Sequence, residues 1–263
     1  MINPFKRALK EGRTQFGLWG SLANPCAAEA LAGTGFDWYL IDGEHAPNDL
    51  RTILGQLQAL APYPTHAIVR PPIGDVALIK QLLEIGAQTV LVPMVDSAEQ
   101  AARMVAAMRY PPQGVRGVGS SAARSSRWGA TKDYLSQAND QMCLLVQCET
   151  TTALAHLAEI AAVDGVDGVF FGPADLSASM GLLGQATHPD VVAAITQGMA
   201  VVKAAGKAPG ILTTDERSAR HYLAQGARFI AVGIDALLLV HAARTLAATF
   251  KGGSASVVPS SYA

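Results

Sequence analysis

Charge is scarce in this chain: 16% of its 263 residues are ionic, and the formal net charge is -1. Such a balance leaves no broad field of either sign, and excludes nucleic acid as the main partner. Cysteine is scarcer still. Cys26, Cys143 and Cys148 are odd in number and form no CxxC pair, which argues against a disulfide framework or a cysteine zinc site and fits a reducing cytoplasm. Long apolar runs are missing too: the stretch from Thr89 to Val95 falls far short of the roughly 20 residues that cross a bilayer. The segment from Met1 to Arg13 is interrupted by Lys6, Arg7 and Lys10, so it lacks the core of a secretory signal and is expected to form a capping helix.

What the chain does have is apolar bulk, half of its residues, arranged in a rhythm. Short β-rich runs alternate with longer helical ones, the pattern that specifies a parallel sheet with crossover helices. Strands are expected at 16–22, 38–42, 66–70, 89–94, 143–149, 168–172, 210–213 and 229–233. Helices follow at 25–32, 48–61, 75–85, 97–108, 151–161, 189–205, 215–225 and 236–250. Asp75 and Asp215 are candidate N-caps; Gly86, Gly206 and Gly226 supply C-terminal glycines. Eight units predict a (β/α)8 TIM barrel over residues 1–250, and the Ser- and Gly-rich 251–263 is expected to be a disordered tail. Two connections run long: 109–129, rich in Gly, Ser and Arg, is expected to be a mobile cationic flap, and 173–188 carries Asp175.

In an α/β barrel the active site lies at the carboxyl ends of the strands. Four strands end there in polar groups: Asp42-Gly43-Glu44-His45, Arg70, Gln147-Cys148-Glu149, and Gly172-Pro173-Ala174-Asp175. Period-two alternation puts Gln147 and Glu149 on one face of strand five and Cys148 on the other. A charged side chain on the inner face needs a partner or a cation. Glu149 and Asp175 suit a hard ion such as Mg²⁺ or Mn²⁺; alternatively, Glu149 pairs with Arg70 and Asp175 caps a helix starting at Leu176. His45 is a candidate general base, or an ordinary loop histidine held by a neighbouring carboxylate. Arg70, stiffened by Pro71 and Pro72, offers a fork to a carboxylate or enolate oxygen, or forms a structural ion pair. No lysine falls at a strand's carboxyl end, which argues against Schiff-base catalysis.

The stretches Phe36 to His45, Leu91 to Met94, Arg109 to Pro112 with Arg116-Gly117, and Gly172 to Ser177 resemble the HpcH/HpaI aldolase family, most closely its 4-hydroxy-2-oxoheptane-1,7-dioate aldolase branch. The resemblance implies a class II pyruvate aldolase on a barrel of the phosphoenolpyruvate/pyruvate type. It implies a homo-hexamer, a trimer of dimers that exchange C-terminal helices, acting on a keto acid and an aldehyde with no membrane involved. Glu149 and Asp175 would hold Mg²⁺, Mn²⁺ or Co²⁺, Arg70 would stabilise the enolate, and His45 would be the base, backed by Asp42 and Glu44. Gly172, Ala174, Asp175 and Gln147 would meet the keto acid. From their places at the ends of strands one and seven, Trp19 and Leu212 are candidates to face the aldehyde, or are plain core, and the charge of the stretch from Arg116 to Arg127 is expected to attract acidic aldehydes. One position departs from the family: the aspartate that orients the histidine of a neighbouring subunit is here Glu84. The alternatives are a citrate-lyase or malyl-CoA-type C–C lyase on the same barrel, and a non-catalytic barrel that binds a keto acid.

Overall fold

In the computed structural model, which describes residues 2–252, eight strands close in sequence order into a wholly parallel barrel. Strands β1 (Gln15–Gly20), β2 (Trp38–Asp42), β3 (His66–Arg70) and β4 (Thr89–Val92) make one half. The other half is β5 (Cys143–Cys148), β6 (Val166–Phe171), β7 (Ala208–Leu212) and β8 (Phe229–Ile234). All eight are near-continuous apolar runs, as strands covered on both faces must be. The helices are α1 (Pro4–Lys10), α2 (Pro25–Ala32), α3 (Leu50–Leu60), α4 (Val76–Glu84), α5 (Ala98–Met108) and α6 (Tyr134–Gln141). They continue with α7 (Thr151–Ala155), α8 (Leu157–Ala162), α9 (Pro173–Ser179), α10 (Pro189–Ala204), α11 (Glu216–Gln225) and α12 (Asp235–Lys251).

Local chemistry sets these boundaries. Asp75 accepts from the N–H groups of Ala77 and Leu78, and Asp215 from that of Ser218. Asp49 and Thr52 form a reciprocal capping box on α3. Gly86, Gly206 and Gly226 each take the left-handed conformation that ends a helix. The core has two shells. Leu40, Ile68, Leu145 and Phe170 fill the barrel together with Phe5 and Leu9 of α1, which plugs the amino end. Val146, Cys148, Val169 and Phe171 face outward under the helices, so the alternation expected for β5 holds.

Two expectations need correction. The helix predicted at 151–161 is broken at His156, which ends α7 and begins α8. The segment 109–129 is no flap over the mouth. It leaves the end of α5 and leads through α6 into the start of β5, and therefore lies at the amino face. Arg116 is wholly buried there, stacked 4.3 Å above the Tyr110 ring and 3.1 Å from Glu84 Oε1, while Arg124 donates to the carbonyls of Ile85 and Leu57. These two arginines knit the segment down rather than reach for substrate. Helix α12 runs to Lys251, and the tail predicted beyond Gly252 lies outside the described residues.

Candidate active site

Strands β2 and β3 run in register, with Asp42 beside Arg70, so both side chains leave the sheet at the same height. They form a two-point pair: Arg70 Nε donates to Asp42 Oδ1 at 2.9 Å and Nη2 to Oδ2 at 2.6 Å. The third nitrogen, Nη1, lies 2.6 Å from Glu44 Oε2 and 3.3 Å from Gln147 Oε1. Below, the Trp19 ring supports the guanidinium at 4.7 Å, and its indole N–H donates to Asp42 Oδ2 at 3.0 Å. A planar fork held on every edge cannot swing. Gly43 allows the close turn after β2, because a Cβ there would sit 2.7 Å from the Arg70 carbonyl oxygen.

These neighbours set the charge states. Burial pushes the Asp42 carboxyl up, but the Arg70 guanidinium outweighs it and leaves the group below the usual carboxylate range. Glu44 is pushed up by burial in spite of Arg70. Glu149 is raised to about 7, first by burial and then by the carboxylates of Asp175 and Glu44. Arg70 is therefore partnered by Asp42 and Glu44, which removes the reading in which it pairs with Glu149.

Glu149 follows β5 and lies at the floor of the site. Its Oε1 accepts the Met94 N–H at 2.8 Å, and its Oε2 accepts from Gln147 Nε2 at 2.5 Å. Gly172 makes room for it: a Cβ there would stand 2.6 Å from Glu149 Oε2. Asp175 is exposed in the first turn of α9, where Gly172, not Asp175, is the N-cap. Trp19, His45, Arg70, Gln147, Glu149, Gly172, Ala174, Asp175 and Leu212 all line one cavity at the carboxyl end. The cavity thus gathers most of the predicted residues. Asp42 lies beneath it, buried, and Glu44 beside it. Glu84 is the exception, since it ends α4 at the amino face of the same barrel.

Sequence reasoning missed two wall residues, Phe170 and Pro173, and also Met94. Met94 adopts a left-handed backbone, φ 53°, and that turn aims its N–H at Glu149. No residue type marks such a turn when glycine is absent; the buried Glu149 that needs a donor is the one available clue.

The donors fit a hard divalent cation: two carboxylates, one buried and unneutralised, with room for water or substrate oxygens to complete the shell. Among the described residues no cluster of three or more His, Cys, Asp or Glu forms a cage, so protein ligands would be two. The α9 N-terminus adds the N–H groups of Ala174 and Asp175, which have no intrahelical acceptor. His45 is half exposed at the rim, its Nε2 3.9 Å from Glu44 Oε2.

Residues 15–242 match the family model described as HpcH/HpaI aldolase/citrate lyase. A hydroxypyruvate/pyruvate aldolase of Deinococcus radiodurans is 64% identical, over 97% of this chain and 92% of that protein. A 4-hydroxy-2-oxo-heptane-1,7-dioate aldolase of Salmonella paratyphi B is 60% identical, over 95% of both chains. Among solved structures, an HpcH/HpaI aldolase/citrate lyase family protein from Burkholderia cenocepacia superposes with a TM-score of 0.92 at 40% identity, covering 95% of this chain and all of the other.

Proposed function

Because the chain belongs to the HpcH/HpaI aldolase/citrate lyase family, we propose that its cavity cleaves and forms the C3–C4 bond of 4-hydroxy-2-keto acids, giving pyruvate or hydroxypyruvate and an aldehyde. It is a carbon–carbon lyase of the class II pyruvate aldolase kind. The observation that carries the reading is the convergence of Glu149, Asp175, Arg70 and His45 on one cavity at the carboxyl end of the barrel. Mg²⁺ or Mn²⁺, with Co²⁺ as a further candidate, would be held by Glu149 and Asp175 and would supply Lewis-acid polarisation of the keto oxygen.

In cleavage, His45 takes the proton of the 4-hydroxyl, directly or through one water. The C4–O bond becomes a carbonyl as the C3–C4 pair moves onto the keto fragment, which leaves as the enolate. Arg70, already fixed by Asp42 and Trp19, presents positive charge where that oxygen becomes negative, without reorganising. The free N–H groups of Ala174 and Asp175 receive the substrate carboxylate. Protonation at C3 completes pyruvate. Trp19 and Leu212 form the wall facing the aldehyde.

The wider reading includes a cytoplasmic homo-hexamer, in keeping with three free thiols. Helix α12 supports exchange between subunits: it buries only Asp235, and leaves Leu238, Leu239, Leu246 and Phe250 exposed. A neighbour's amino face would then bring its Glu84 towards His45. Size-exclusion chromatography with light scattering checks this, and a monomer at micromolar concentration would sink it. For the chemistry, retro-aldol release of pyruvate is followed before and after EDTA, with metal added back. Metal-dependent exchange of pyruvate methyl protons in D₂O separates an enzyme from a mere keto-acid binder, and malyl-CoA as substrate tests the thioester lyase alternative.

A further inference from the structure

A concentration of positive charge lies at the other end of the barrel. A cavity of about 390 Å³ opens where α1 and α10 end, beside the starts of β6 and β7. Lys6, Lys10, Lys203, Lys207 and Arg228 line it, against one carboxylate, Asp167. Five of the chain's 20 Lys and Arg thus share one cavity with one of its 21 Asp and Glu, in a protein whose net charge is -1.

Part of this cluster has a structural explanation. Helix C-termini carry partial negative charge, and the helices that lead into a barrel strand end at this face. Lys6 Nζ donates to the Met142 carbonyl at 2.5 Å and lies 3.3 Å from Asp167. Lys207 donates to the Val166 carbonyl at 2.7 Å, and Lys203 to that of Gln225 at 3.1 Å. Carbonyls fix these ammonium groups in place; Asp167 offsets the charge of Lys6, while Lys203 and Lys207 have no carboxylate partner among the described residues. Asp167 is itself occupied, since its Oδ2 also accepts the Leu144 N–H at 3.0 Å. Lys10 and Arg228 fall outside this account: their side chains have no hydrogen bond or ion pair among the described residues.

We propose that this cavity binds a compact polyanion, carboxylate- or phosphate-bearing, with Arg228 as the fork and Lys10 as the second contact. Three preset lysines lower the ordering cost of binding, and two free cations supply the new contacts. The size suits a small molecule, and the lining contains no aromatic ring on which a nucleobase would stack. An apolar floor of Leu9, Val166 and Ala208 keeps water away from one side of the ligand. This site is independent of the aldolase reading and stands or falls without it.

Titration calorimetry on the full chain tests the proposal, with EDTA present so that no divalent metal bridges a ligand to the carboxyl-end site. Inorganic pyrophosphate is one probe and tricarballylate, a tricarboxylate, the other. Saturable binding of either at one site per chain is the expected result, and which of them binds identifies the ligand as phosphate- or carboxylate-bearing. Lys10→Glu and Arg228→Glu each weaken it at least tenfold, while His45→Ala leaves it unchanged. Lys10→Gln and Arg228→Gln repeat the test without reversing charge, should either reversal fail to fold. No heat beyond that of NaCl at matched ionic strength with either probe would overturn the proposal. So would an affinity that survives both variants or disappears in His45→Ala.

Discussion

The two ends of this barrel both bury charge, but they treat it differently. At the amino end, wholly buried Arg116 has its carboxylate, Glu84, at 3.1 Å and two tyrosine rings against its guanidinium. At the carboxyl end, buried Glu149 has two N–H donors and no cation, while the one nearby guanidinium, Arg70, is already shared by Asp42 and Glu44. A charge balanced inside the chain holds the fold together; a charge left unbalanced on purpose waits for something from outside. The difference lies in these two groups: Arg116 has its counter-ion within the chain, and Glu149 does not.

That contrast can be broken or sharpened. Exhaustive chelation gives the largest effect: pyruvate release is lost completely and returns on adding Mn²⁺ or Mg²⁺. An enzyme still fully active without metal would erase the distinction between the ends. Next, Arg70→Ala or His45→Ala lowers kcat/KM at least about a hundredfold, the scale of losing a charge stabiliser or a general base. Steady-state kinetics on variants with native circular dichroism provides the check, and near-normal turnover in both removes them from the mechanism. Arg116→Ala belongs to the opposite class. It strands Glu84 and lowers stability by about 3–5 kcal/mol, as broken buried pairs do, read as a shifted urea midpoint.

The smallest effect is a pH dependence. Glu149 has a folded pKa of about 7 against 4.5 for the unfolded chain, so a raised carboxyl is at issue. Below 4.5 it is protonated in both states and costs nothing. As pH rises from 4.5 to about 7 the unfolded chain ionises first, so the metal-free protein loses stability over that window and stays lower above it. A bound cation removes the penalty. The gain in Tm on adding Mg²⁺ therefore grows between pH 5 and pH 7.5, and a gain that is flat with pH would deny Glu149 its role as ligand.

Much of this was legible in the sequence, for definite reasons. Strands covered on both faces are short apolar runs, so eight of them could be counted, and period two placed Gln147 and Glu149 inside with Cys148 outside. Strand ends carried Arg70, His45 and Asp175 into one cavity. What stayed hidden depended on contacts between distant residues. The composition of 109–129 suggested a flap, because nothing in it shows that Arg116 meets Glu84 thirty-two positions earlier. The left-handed turn at Met94 has no residue code, and the lysines and the arginine of the amino-face cavity are scattered over three separate segments.

Trp19 constrains any attempt to broaden the aldehydes this cavity accepts. It is a wall of the chamber and also a strut, since its ring lies under Arg70 and its indole is tied to Asp42. Trimming it to admit a bulkier guest would loosen the guanidinium proposed to steady the reaction. Leu212 lines the same chamber without a hydrogen bond or ring contact to Arg70 or Asp42, so a redesign begins there.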